Sequence, residues 1–196
     1  MFIELTDHLR CPVDHEEAYL VLLPDVVERR DVRSGRLGCP ICNWETTFSD
    51  GIVDFGGAQA ATIPTTLSAE AVRTFLGVSG PGGYVALVGS PSALAPELAV
   101  ALRGVSLVLV NPAEGTVAEP PASVIRAGRM PVKSASMRGV VVGRDFGSDS
   151  AWVRDAVASV LAGLRVVVEG EVPDLAGLEV LAETPGLWVG RQAAHR

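Results

Sequence analysis

The chain has 196 residues, 48% hydrophobic and 20% charged, with a formal net charge of −7. That is enough apolar material for a real core, which excludes wholesale disorder, and no apolar run approaches the about 18 residues a membrane span needs. The first 57 residues hold five Arg against eleven Asp and Glu, while the rest is nearly balanced, so the acidic head is a poor nonspecific binder of nucleic acid.

The opening residues, MFIELTDHLRCP, carry neither a basic flank nor the apolar core of a secretory signal, so a cytoplasmic protein is expected. There are three cysteines, with Cys11 far from the Cys39 and Cys42 pair. In a reducing compartment this pattern points to metal rather than disulfides.

Residues 1–57 read as a small β-rich module, with short apolar runs at 18–23, 32–37 and 46–55 separated by Gly, Pro and Asp. A core of this size is marginal, and a metal commonly supplies the missing stability. The candidate ligands are Cys11-Pro-Val-Asp14-His15 and Cys39-Pro-Ile-Cys42. A zinc ribbon places ligands at i and i+3 in each of two such knuckles. The second knuckle is complete. In the first, spacing favours Asp14 and zinc chemistry favours His15. The metal set is therefore Cys11, Asp14, Cys39 and Cys42, with His15 as the alternative to Asp14. Four ligands leave no open position, so zinc here is structural. The competing reading is a ribbon without metal, with Asp14 and His15 as turn residues.

The run LRCPVDH, followed by GCPICNWETTFSDGIVDF, resembles the zinc-ribbon domain of small activator subunits of tRNA and protein methyltransferases, over about residues 5–56. In that family an aromatic residue, a polar step and Asp-Gly-Ile follow the second knuckle; here they are Phe48, Ser49, Asp50, Gly51 and Ile52. Asp14 in place of the second cysteine is the departure.

Residues 58–67 are small and polar and read as a linker. Ser68 begins a helix as its N-cap, with Glu70 in the first turn. From Tyr84 onward the pattern alternates: strand 84–89, helix 92–103, strand 105–110, short strands at 123–127 and 139–143, helix 149–162, strand 165–168, and a closing hairpin of 178–182 and 187–190. Such alternation implies an α/β fold with a mainly parallel sheet.

Residues 68–196 are similar to a class I S-adenosylmethionine-dependent methyltransferase, most clearly at YVALVGSPSA, at Asn111-Pro112 and at RAGRMPVKSASMRGVVV. The resemblance implies a reduced Rossmann-like sheet behind the zinc-ribbon-like module. It also implies a worn cofactor site. Gly89 matches the first glycine of the strand-end turn, but Pro91 and Ala93 stand at the next two glycine positions. Leu87 replaces the carboxylate of the first strand, and Asn111 the acid that would hold both ribose hydroxyls. Arg126 and Arg138 lie where acids are expected, and a guanidinium cannot accept from an adenine amine. If S-adenosylmethionine binds, Gly89, Asn111 and Met130 surround it.

The connections 113–121, 129–137 and 170–176 are too short or too Pro-broken for full helices, which leaves sheet faces thinly covered. A protein partner, a second copy or the ribbon itself is expected to pack there. Arg126, Arg129, Lys133, Arg138 and Arg144 form a basic run that could hold an anion such as RNA, or lie solvated. No catalytic triad or dyad is identifiable, and His195, next to the C-terminus, is read as non-catalytic. The leading expectation is a non-catalytic, methyltransferase-like binding or scaffolding subunit. The alternatives are a methyltransferase with an atypical cofactor pocket and, behind it, an RNA-binding protein.

Overall fold

The computed structural model describes residues 1–193; His195 lies outside them. A short 3-10 segment, Ile3–His8, opens the chain. A three-stranded antiparallel sheet follows, made of β1 (Val21–Glu28), β2 (Asp31–Gly38) and β3 (Glu45–Phe48).

The sequence suggests one strand over residues 46–55. The chain instead breaks at Asp50 and Gly51, both at positive φ, and resumes as β4 (Ile52–Asp54). This turn matters because β3 and β4 join different sheets. β4 pairs in parallel with β7 (Ala122–Arg126) and becomes the edge of the large sheet.

That sheet has eight strands. Besides β4 and β7 they are β5 (Tyr84–Val88), β6 (Ser106–Val110), β8 (Met137–Val142), β9 (Val160–Val168), β10 (Leu178–Thr184) and β11 (Leu187–Gln192). Their order is β10-β11-β9-β8-β5-β6-β7-β4. The six strands from β4 to β9 run parallel, and β11 is antiparallel between β9 and β10. From β5 onward this is the mainly parallel α/β sheet that the alternation implies. All five β5 residues are buried, as a parallel strand covered on both faces requires.

Helix cover is thin. α1 (Ala69–Leu76) is capped by the Ser68 hydroxyl, which accepts from the Ala71 N–H, and it ends at Gly77 in the left-handed region. A 3-10 turn at Ser90–Leu94 leads into α2 (Ala95–Ala101), so the helix suggested over 92–103 is shorter and starts later. Pro96 sits in its first turn, where no N–H is needed. After the four-residue α3 (Arg144–Gly147) comes α4 (Ser150–Ser159), capped by Asp149. α4 stops three residues before the expected end because β9 begins at Val160.

α1 and α2 cover one sheet face, where Val72, Leu76, Leu98 and Leu102 meet Val85, Leu87, Leu107 and Val141. The other face is shared. Trp152, Val153, Ala156 and Val157 of α4 cover part of it, and the N-terminal module covers the rest. Met1, Leu5, Leu9, Val32 and Leu37 belong to the same buried cluster as Ala86, Val88, Val108 and Ile125. The stretch from β7 to β8 forms no helix, and the ribbon fills the space a helix would take.

Candidate metal centre and closed strand-end cleft

Two places in the molecule concentrate polar chemistry. The first is the pair of knuckles. Cys11, His15, Cys39 and Cys42 bring one ligand atom each to within 4.8 Å of one another. The Cys11 and Cys42 sulfurs are 3.6 Å apart, and His15 Nε2 is 3.3 Å from Cys39 Sγ. A tetrahedral ion with zinc–sulfur bonds of about 2.3 Å sets donors about 3.5–3.8 Å apart, so the two separations lie within about 0.3 Å of a zinc site.

His15 Nδ1 lies 2.6 Å from the Glu16 carbonyl. Donation there fixes the tautomer that leaves Nε2 free to bind a metal. The carboxylate that spacing favours turns away: the Asp14 side chain is 98% exposed and faces Arg129 at 3.8 Å. The first knuckle thus delivers the imidazole at i+4 rather than the carboxylate at i+3.

The thiols are inequivalent. Burial pushes Cys11 up to about 12. Burial also opposes ionisation of Cys39, but the backbone N–H groups of Cys42 and Ile41 aim at its sulfur and bring it down to about 7. The site is tied to the sheet through Arg10. Its Nε donates to the Met130 carbonyl at 2.8 Å, and its guanidinium pairs with Asp155 of α4.

The second place is the carboxyl end of the parallel strands, where α/β folds bind ligands. Here the segment read as a linker acts as a strap. The backbone N–H groups of Thr62 and Ile63 and the Thr62 hydroxyl all donate to the Asp145 carboxylate, just beyond β8. The Thr65 hydroxyl donates to Glu169 Oε2, and the N–H and hydroxyl of Thr66 to Oε1, at 2.7–2.8 Å. Glu169 follows β9 directly and is fully buried. Sequence reading missed Glu169, Asp145 and the threonines. The available signal was an acid ending the apolar run Val166–Val168, where a strand end faces the cleft.

The residues assigned to a cofactor all have contacts within the chain. Gly89 holds φ +75, and a Cβ there would sit 2.9 Å from the Phe146 ring and 3.8 Å from Ala61 of the strap. Asn111 is 1% exposed and fully engaged: its Nδ2 donates to the Ala127 carbonyl at 2.7 Å, and its Oδ1 accepts from the Ala127 N–H at 2.8 Å. Met130 is buried in the core shared with the ribbon. Ser92 donates its hydroxyl to the Leu87 carbonyl. A shallow space of about 360 Å³ remains between the strap and the turns after β5 and β6, lined by Ile63, Pro64, Ser90, Ala93, Ala113 and Thr116 and without a charged side chain.

An acid at position 111 would be the residue expected of a cofactor site, yet here it should harm the fold. Asn111→Asp cannot donate to the Ala127 carbonyl and buries a charge. A loss of about 2–4 kcal/mol in urea unfolding is expected. A neutral result would show that Ala127 does not depend on Asn111.

The basic run does not assemble into one patch. Arg138 donates to the carbonyls of Ser79, Gly80, Pro81 and Gly82 at the amino end of β5. Lys133 lies over the Tyr19 ring and bonds the Asp7 carbonyl. Arg129 faces Asp14 and Asp155, Arg126 stands opposite Asp54 in the β4–β7 ladder, and Arg144 opens α3 beyond β8.

No protein-family model matches this chain, and no curated protein does. Among solved structures it is similar to two crystal structures of the antibiotic-resistance methyltransferase Kmr. Identity is 12% and the TM-score 0.43 in both, covering 70% and 69% of this chain and 99% and 98% of theirs. The likeness is one of chain course alone. Among the described residues, no helix is long and apolar enough to cross a membrane.

Proposed function

We propose that this protein is a non-catalytic, methyltransferase-like scaffold whose N-terminal ribbon carries structural zinc. The observation that carries the reading is the strap. Two carboxylates at the ends of β8 and β9 take six hydrogen-bond donations from residues 62–66, and Asn111 is spent on Ala127. A nucleoside cofactor would have to displace the chain's own donors before meeting either carboxylate.

Calorimetry with S-adenosylmethionine and S-adenosylhomocysteine tests this. No heat at millimolar ligand is expected. A micromolar dissociation constant overturns the reading and restores a methyltransferase with an unusual pocket.

The donor set supports zinc: three thiols, one imidazole held in the right tautomer, and no acidic oxygen among the converging atoms. Its free thiols suit a reducing compartment, which favours the cytoplasm. Zinc binding must displace the thiol protons. Cys11, pushed up to about 12, keeps its proton through neutral pH, and Cys39 gains one below about pH 7, so affinity is expected to fall as pH drops and to fall more steeply below pH 7. Competition with a chromophoric chelator across pH measures this, and a flat profile contradicts thiolate ligation.

A further inference from the structure

The ribbon covers one thin place in the helix layer. A second lies on the opposite face. Parallel strands in one sheet are joined by right-handed crossovers, so the connection from β6 to β7 runs on the face of α2. That connection, residues 111–121, contains no helix. Between it and α2 lies a groove of about 530 Å³. Its floor is Leu109 and Ala122 of the sheet, and its walls include Ala93, Pro96 and Ala99 on one side and Val117 on the other. Val117 is 65% exposed. Small side chains along the α2 wall let another backbone approach closely.

The charge around this groove selects the occupant. Glu119 lines it and Glu114 is exposed on the loop next to the lining residue Gly115, whereas none of the lining residues is Lys or Arg. A second copy would bring the same acidic rim and a net charge of −7, so self-association over this surface is opposed. We propose that the groove docks an amphipathic helix of a partner protein, with its apolar stripe on Pro96, Ala99 and Val117 and with Lys or Arg flanking that stripe. The mode is a helix laid in a groove, supplying the layer that the β6–β7 connection lacks. This inference rests on the scaffold reading and gives it one surface for a partner.

The test uses the full-length zinc-loaded chain, labelled for amide NMR. The probes are two synthetic helical peptides with the same leucine stripe, one flanked by lysines and one by glutamates. The lysine peptide is expected to shift the amides of Ala93, Ala99, Val117 and Ala122, and the glutamate peptide to leave them in place. Ala99→Trp, which fills the groove, should abolish the shifts. Glu114→Lys combined with Glu119→Lys should weaken binding about tenfold. Both variants change exposed or half-exposed positions, and an unaltered thermal transition verifies their fold. Shifts confined to the ribbon, equal response to both peptides, indifference to Ala99→Trp, or dimerisation through these residues each overturns the proposal. None of these outcomes touches the scaffold reading, which is tested separately at the strand-end cleft.

Discussion

Removing the metal, by a strong chelator or by Cys39→Ser, should lower the melting temperature of the whole chain by about 10–20 °C in a single transition. Structural zinc contributes an apparent 10–16 kcal/mol in isolated fingers, comparable to the entire stability of an ordinary domain. Here the ribbon also has an apolar core, so about 5 kcal/mol is a conservative loss, and each kcal/mol moves a chain of this size by about 2–4 °C. The transition is expected to stay single because the ribbon is built into the sheet. β4 is its edge strand, Leu5 and Leu9 sit in the same buried cluster as Val88 and Val108, and Arg10 joins the knuckle to α4. Calorimetry of zinc-loaded and chelated protein reads both quantities. Two separate transitions, with only the smaller one moving, would show that residues 1–57 fold alone.

Glu169→Ala should be the most costly single substitution outside the metal site. It leaves the Thr65 hydroxyl and both donors of Thr66 without their acceptor in part-buried contacts, beside the cavity of the fully buried side chain that is lost. Hydrogen bonds to a charged group are worth about 1.5–3 kcal/mol each, though three on one carboxylate do not add fully. A loss of about 3–5 kcal/mol is expected in urea unfolding, with Glu169→Gln intermediate because one oxygen remains. If the strap were a loosely lying linker, both variants would fall within about 0.5 kcal/mol of the parent, the usual range for surface changes.

The large elements were legible in the sequence because each has a local cause. The apolar runs at 84–88 and 106–110 can only be buried parallel strands, Ser68 and Asp149 are strong caps, and the closing hairpin follows from Pro185-Gly186. Thin helix cover was readable from proline placement, and the ribbon was among the candidates for filling it. The break at Asp50-Gly51 was less legible, since nothing local says that the two halves of one apolar run join different sheets. Asp14 was favoured by spacing, but a single-residue slip in an exposed turn decides between i+3 and i+4, and the structure brings His15 rather than Asp14 to the thiols. The strap was hidden for a physical reason. Threonines at 62, 65 and 66 carry no periodic signal, and their partners Asp145 and Glu169 lie about 80 to 105 residues away. Only the assembled sheet brings its strand ends under them.

Amide hydrogen exchange in the strap tests the central claim most directly. The N–H groups of Ile63 and Thr66 donate to Asp145 and Glu169, so both should exchange slowly, at rates that millimolar S-adenosylhomocysteine leaves unchanged. Fast exchange at these two positions, or exchange that accelerates when the nucleoside is added, would mean that the strap leaves the strand ends and that the cleft is a working site.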